Sequence, residues 1–382
     1  MILSCVADYE SAARIVLPSE TWDFVAGGSG AESTMRANLA AFESIFVVPR
    51  ALRDVAECST ASSLLGRQVS MPLAAAPIAY QRLLHPEGEL AAARAAKTAG
   101  IPFAVSTMSS VALEEVAAVG GTTWFQLYRL RDERRCLELV ERAEVAGCQA
   151  IMVTVDVPWM GRRLRDVRNR FALPESVTAA NLGGRSTAHR RPAGDAPAAS
   201  AVAVHTALEF APVTWAWVDM LRGRTRLPLV LKGILDLEDA RRAADMGVDG
   251  IVVSNHGGRQ LDGAIPSIDV LPEIADAVAG SCEILLDSGV RCGEDIVKAI
   301  ALGASAVLVG RPLMYGLAVG GEDGARDVLG LLAAEFRGAL GLAGCGSPRD
   351  ARLLRTTFAR NPSRTEIGVG AARIRGDSAM RD

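Results

Sequence analysis

The stretch Gly250-Ile251-Val252-Val253-Ser254-Asn255-His256-Gly257-Gly258-Arg259-Gln260-Leu261-Asp262-Gly263 decides the fold of this chain. Its short apolar opening, bounded by polar and turn residues, reads as a strand buried on both faces. An alcohol, an amide, an imidazole, a guanidinium and a carboxylate then arrive together. Gly257 and Gly258 let the backbone turn sharply or approach a ligand there. A buried strand that stops at a His and an Arg suits the catalytic face of a parallel barrel, where active residues sit at strand C-termini.

Working outward, the same rhythm starts at residue 72. Apolar strand candidates are Leu73–Pro77, Phe103–Ser106, Trp124–Leu127, Ile151–Val155, Leu229–Lys232, Ile251–Ser254, Ile284–Asp287 and Ala306–Val309. Segments of helical periodicity separate most of them, at 87–99, 111–119, 132–146, 236–246, 268–279 and 293–302. Gly100, Gly147, Gly247 and Gly303 stand where such helices end. Regular βα alternation of this length predicts an α/β fold, a closed TIM (β/α)8 barrel, in preference to an open doubly wound sheet. One domain spans 1–382, with the barrel over about 72–345. A helical extension precedes it: helices are expected at 5–17, at 19–26 with Ser19 as a cap, and from Ser33 to Ser44. Gly27-Gly28-Ser29-Gly30 follows no strand and has Ser33 where a dinucleotide loop needs glycine, so it reads as a turn. The connection after strand four is long, an insertion over about 170–212. Its part from Thr187 to Val204 is rich in Ala, Pro, Ser and Arg and reads as a lid over the catalytic face. The Arg-rich last forty residues are expected to wrap the barrel or fray.

Composition narrows the function classes. Hydrophobic residues are 49% of the 382 and charged residues 22%, enough for a large core. The net charge of −3 supplies no basic field for nucleic acid or an acidic membrane surface. No apolar run is long enough to span a bilayer, and residues 1–17 hold no secretory signal. The seven cysteines are scattered, with no CxxC pair, which fits reduced thiols in a cytoplasmic protein and no metal site.

Every strand candidate ends in polar or turn residues: Ala76-Pro77-Ile78-Ala79-Tyr80, Ser106-Thr107, Gln126 and Tyr128, Thr154-Val155-Asp156, Lys232-Gly233, Ser254 and His256, Asp287-Ser288-Gly289-Val290-Arg291, and Gly310-Arg311. Loops after strands seven and eight are the usual phosphate site of this fold, and small residues beside Arg291 and Arg311 suit one. Ser106, Gln126 and Thr154 with Pro77 to Ala79 suit the polar edge of a planar heterocycle. Lys232 fits the edge of a flavin that becomes anionic on reduction; a Schiff-base lysine is the rival reading. His256 with Asp156 makes a general base whose imidazolium is stabilised by the carboxylate. Arg163 and Arg259 make a carboxylate clamp, and Tyr128 can hydrogen-bond a hydroxyl. These parts suit oxidation of a 2-hydroxy acid. Of the other histidines, His85 reads as structural, and His189 and His205 as solvated residues of the insertion.

Ser254–Gly263, together with His85-Pro86-Glu87-Gly88-Glu89, Phe125-Gln126-Leu127-Tyr128, Thr154-Val155-Asp156-Val157-Pro158 and Gly310-Arg311-Pro312, resembles the FMN-dependent 2-hydroxy-acid oxidase and dehydrogenase family over roughly residues 5–350. The resemblance implies a TIM barrel with FMN at its rim. It implies His256 as base, Asp156 as its partner, Arg163 and Arg259 on the substrate carboxylate and Tyr128 near the hydroxyl. FMN contacts carry over to Ala76, Pro77, Ile78, Ala79, Ser106, Gln126, Thr154, Lys232, Ser254, Asp287, Ser288, Gly289, Arg291, Gly310 and Arg311. Phe24 stands where many members have Tyr, Met108 where many have a bulky aromatic, and Ser288 where a glycine is common. Ser288 should keep the turn.

Within the family, Ala76–Leu83 and Val157–Asp166 resemble members that oxidise 4-hydroxymandelate in glycopeptide-antibiotic pathways, with O2 reduced to H2O2. Phe24 and Met108 then belong to the substrate pocket. A cytoplasmic homo-oligomer of tetrameric type, acting on a small 2-hydroxy acid and O2, is the implied state. Membrane-bound relatives carry an apolar insertion after strand four. Arg185, Arg190, Arg191 and Asp195 occupy that stretch here and disfavour electron transfer at a membrane. An FMN-dependent isomerase, or a nucleotide-binding barrel without redox turnover, would not need both arginines and His256.

Overall fold

In the computed structural model the apolar runs pair in parallel, each with the next in chain order, and the last returns to the first to close a barrel. The structure describes residues 2–184, 186–191, 199–278 and 280–358. Barrel strands one to eight are Leu73–Ala75, Phe103–Ser106, Thr123–Leu127, Ala150–Thr154, Leu229–Ile234, Gly250–Val253, Glu283–Leu286 and Ala306–Val309. They are apolar nearly throughout because helices cover their outer faces and side chains fill the inside.

Side-chain alternation places the site. Ala74, Ala104, Trp124, Ala150, Met152, Val230, Val252, Leu285, Ala306 and Leu308 pack together as a distinct inner core. The outward residues between them join the larger core under the helices. Because side chains repeat every second residue, the next inward layer is Ala76, Ser106, Gln126, Thr154, Lys232, Ser254, Asp287 and Gly310. The barrel is therefore apolar low down and polar at its C-terminal rim. A hairpin of Ser62–Leu64 and Arg67–Val69 closes the other end: Leu64 and Val69 join the inner core, and Leu65 N–H donates to Glu283 at the start of strand seven (2.9 Å).

The covering helices Glu89–Thr98, Leu113–Ala117, Glu133–Val145, Leu237–Asp245, Ser267–Val278 and Gly293–Ala301 lie where periodicity expects them. The N-terminal helices are Val6–Val16, Ser19–Ala26 and Ser33–Glu43. Ser19 is not a cap: Pro18 holds that position and Ser19 is the first helical residue.

Other parts depart from the sequence reading. Strand eight runs into helical segments over Arg311–Leu342, interrupted at Gly320 and Gly321. The His85 ring packs against the bare backbone of Gly321, and its Nδ1 accepts from Glu87 N–H (3.3 Å), a structural role. Of the last forty residues, Arg355–Phe358 forms a strand that pairs antiparallel with Ile45–Val48. Residues 359–382 lie outside the described residues. The stretch from Thr187 to Val204 is not simply unstructured: it contains a 3-10 turn at Thr187–His189 and the first half of helix Ala201–Glu209. Residues 192–198 of that stretch, and Arg185 before it, lie outside the described residues. Among the described residues no helix is long and apolar enough to cross a membrane, and no cluster of ligands could hold a metal. All seven cysteines are free thiols.

Candidate active site

The polar inward layer forms two connected groups. Ser106 Oγ donates to Gln126 Oε1 (3.1 Å), and Gln126 Nε2 donates to Thr154 Oγ1 (2.9 Å). Lys232 Nζ donates to Ser254 Oγ (3.0 Å) and pairs with Asp287 Oδ2 (2.9 Å). Burial opposes the lysine's charge, but Asp287 and then Asp156 more than offset it and hold its pKa above the ordinary value. The same pairing keeps the Asp287 carboxyl low against its burial. Lys232 is thus a fixed cation, unlike the neutral amine a Schiff base needs.

Above this layer opens a cleft. Ala76 to Ala79, Ser106, Thr154 and Lys232 line one part, and Asp287 to Gly289, Arg291, Gly310 and Arg311 another. Tyr128, His256, Arg163, Arg259, Phe24 and Met108 complete it. Gln126, Ser254 and Asp156 stand just behind the lining, each bonded to a residue in it.

His256 Nδ1 lies 3.0 and 3.2 Å from the Asp156 oxygens. A carboxylate only accepts, so Nδ1 carries the proton and Nε2 keeps a free lone pair. Burial lowers the His256 pKa; Asp156 opposes this and Lys232 reinforces it. The imidazole is therefore neutral near pH 7. Loss of activity on acidification should follow its protonation, so the acid limb of kcat/KM is expected below the ordinary imidazole value of 6.5. A pH–rate profile with its acid limb above that value would contradict this assignment.

Backbone geometry seats the pair. His256 has φ +59°, a left-handed conformation uncommon for a side-chain-bearing residue. Its N–H donates to Ser254 Oγ (3.0 Å), and Gly257 N–H donates to Ser288 Oγ (2.8 Å). Ser288 keeps its turn at φ +75° and also donates to Asp287 Oδ1 (2.7 Å). Strand five bulges at Gly233 (φ +113°), where an added Cβ would sit 2.5 Å from Asp156 Cβ. Gly233→Ala should displace Asp156 and His256 and lower kcat about 10²-fold, the usual cost of a misplaced catalytic group. Steady-state kinetics with an unchanged FMN content would show it.

Opposite His256 the charge is positive. Arg259 donates to the carbonyls of Gly27 (2.8 Å) and Val25 (3.5 Å). Arg311 donates to those of Gly27 (2.9 Å), Val25 (3.2 Å) and Gly257 (3.0 Å). The guanidiniums of Arg163 and Arg259 lie 6.0 and 5.4 Å from the Phe24 ring centroid. Burial, then Arg163 and Arg311, push the Arg259 pKa well below its ordinary value. Burial also brings Arg311 down to about 10. Crowded, desolvated cations of this kind are stabilised by an anion. Tyr128 is pushed up to about 12 by burial and by Asp156, so its phenol stays a donor.

The residues fit FMN. A neutral polar edge, a fixed cation at Lys232 and a cleft ending in small residues beside Arg291 and Arg311 match a planar heterocycle with an anionic tail. Several contributors were not foreseen. Gln260, quoted in the opening motif without a role, donates to the carbonyls of Asp156 and Trp159 (both 2.9 Å) and accepts from Gly161 N–H (3.2 Å). It ties the loops after strands four and six together. Tyr80, Met160 and Val202 add apolar wall, and Val202 brings the insertion to the cleft. Phe171, also from the insertion, stacks on Phe24 at 4.6 Å. His205 is buried and bonded to Thr187 (3.3 Å), and His189 bonds to the Val177 carbonyl (2.9 Å). Neither is a solvated loop histidine, and neither lines this cleft.

Comparisons with known proteins agree with this geometry. The chain is 62% identical to 4-hydroxymandelate oxidase of Amycolatopsis orientalis over 351 residues, 92% of this chain and 97% of that protein. It is 46% identical to human 2-hydroxyacid oxidase 1, over 90% of this chain and 93% of the relative. A crystal structure of mandelate oxidase with (S)-4-hydroxymandelic acid superposes with a TM-score of 0.91 at 61% identity, covering 93% of this chain and 99% of the other. The model of the FMN-dependent dehydrogenases matches residues 13–356. With a barrel rim shaped for FMN and these relatives along nearly its whole length, the chain belongs to the FMN-dependent dehydrogenase family.

Proposed function

We propose that this protein oxidises an aryl 2-hydroxy acid, (S)-4-hydroxymandelate foremost, to the 2-oxo acid 4-hydroxyphenylglyoxylate, with O2 reduced to H2O2. The observation that carries this reading is a neutral, partly buried imidazole that shares one cleft with two partly buried arginines. Arg259 makes no ion pair among the described residues, so the cleft holds a cation in want of a carboxylate.

Arg163 and Arg259 bind the substrate carboxylate and orient the 2-carbon. Tyr128 donates to the 2-hydroxyl. His256 takes a proton from the substrate at Nε2, and Asp156, bonded through Nδ1, stabilises the imidazolium that results. Phe24, Tyr80, Met108, Met160 and Val202 exclude water around the substrate ring. Ala76 to Ala79, Ser106, Gln126, Thr154, Lys232 and Ser254 would hold the ring system of FMN, and Asp287, Ser288, Gly289, Arg291, Gly310 and Arg311 its phosphate end. FMN, when bound, would supply the acceptor for the two electrons and the second hydrogen that leave the substrate.

The same proposal treats residues 1–382 as one FMN-binding domain with the insertion as a lid. It has the protein act in the cytoplasm as a homo-oligomer of tetrameric type, in antibiotic biosynthesis. The similarity to the 4-hydroxymandelate oxidase of Amycolatopsis orientalis supports the substrate assignment. The test is a panel of 4-hydroxymandelate, mandelate, lactate and glycolate, followed by oxygen uptake and peroxide yield. The aryl acids should be preferred, with one peroxide formed per 2-oxo acid. Preference for lactate or glycolate would reassign the substrate; turnover only with an added acceptor would reassign the oxidant.

A further inference from the structure

Asp166 lies on the short helix Leu164–Arg168, one turn beyond Arg163, and only 2% of it is exposed. Neither of its carboxylate oxygens has a hydrogen-bond partner among the described residues, and neither has Arg163 Nε. The two orphaned groups are neighbours, with Arg163 Nη1 3.9 Å from Asp166 Oδ2. A charge-assisted N–H···O bond closes at about 2.7–2.9 Å, so a small side-chain rotation brings them into contact. Arg165, the cation of this helix whose charge acts on Asp166, is engaged elsewhere: it pairs with Glu32 (2.6 Å) and Asp23 (3.5 Å). Asp166 is left to the arginines of the cleft. A buried carboxylate without donors is otherwise hard to sustain. The charges also balance. Arg163 and Arg259 against Asp166 leave one net positive charge, which a single substrate carboxylate cancels.

We propose that Asp166 is a positioning residue for Arg163, holding its guanidinium aimed at the substrate carboxylate. This rests on Arg163 being a carboxylate ligand. Asp166 touches neither substrate nor the reacting atoms; it acts through the arginine. Its effect is therefore specific to charged ligands, which a merely structural residue would not be.

The test uses the FMN-loaded enzyme and two unreactive probes, phenylacetate and its neutral amide phenylacetamide, titrated by calorimetry. The wild type should prefer the acid. Asp166→Asn should weaken acid binding about tenfold while leaving the amide constant within about twofold, the loss expected when a buried charge pair loses one partner. Asp166→Glu should recover part of the difference. If Asp166→Asn weakens both probes equally, weakens neither, or tightens the acid, the positioning role is wrong. If the wild type itself shows no preference for the acid, the reading of Arg163 fails and this inference falls with it. Should Asp166→Asn not take up FMN, Asp166→Glu carries the test: its displaced carboxylate must alter acid binding and spare the amide, or the proposal fails.

Discussion

His256→Ala is expected to lower the rate of flavin reduction by about 10⁴-fold, the upper range for loss of a general base, with FMN still bound. The imidazole Nε2 is the only uncommitted basic nitrogen that this loop brings to the cleft, since Nδ1 is held by Asp156. Burial and Lys232 keep it neutral and able to accept. The polar rim that fits FMN does not depend on it: Lys232, Asp287 and Ser254 are bonded to one another. The variant should therefore purify yellow and fail at chemistry. Stopped-flow reduction under anaerobic conditions measures this directly, and reduction within tenfold of the wild type would remove His256 from the role of base.

Arg259→Met should follow with a loss in kcat/KM of about 10²- to 10³-fold, the range for deleting one partner of a buried charge pair. Met keeps the unbranched apolar stem of the side chain and removes the guanidinium that lies over Phe24. The backbone does not collapse, because Arg311 still donates to the Gly27 and Val25 carbonyls that Arg259 leaves. The loss should appear in KM and in the inhibition constant of a 2-oxo-acid product as well as in kcat. A variant with unchanged product inhibition would place the carboxylate elsewhere in the cleft.

Much of the barrel was legible for a definite reason. Its strands are buried on both faces, so they survive in the sequence as short apolar runs, and each must shed its apolar character at the rim where ligand is handled. The inward parity from Val230 to Lys232, or Val252 to Ser254, is the same signal at finer grain. What escaped lacked that contrast. The helical run from Arg311 to Leu342 carries a buried stripe at Val328, Leu329, Leu332, Phe336 and Leu340, but it is diluted by glycines such as Gly316 and Gly324, which pack backbone against backbone and lower helical propensity. Strand Arg355–Phe358 is mostly exposed and gains its partner, Ile45–Val48, from the far end of the chain. Asp166 sits in the run Arg162-Arg163-Leu164-Arg165-Asp166, which looks like a solvated charged face until folding buries it. Tyr80 stood at the polar end of strand one without a role, and only the three-dimensional fold brings its ring to 6.4 Å from that of Phe24.

The most direct test is anaerobic titration of the FMN-loaded protein with (S)-4-hydroxymandelate, following the flavin's visible absorbance. Complete bleaching, with 4-hydroxyphenylglyoxylate formed in equal amount to the flavin reduced, is the predicted result. A flavin that stays oxidised with this acid, and with mandelate, would contradict the account.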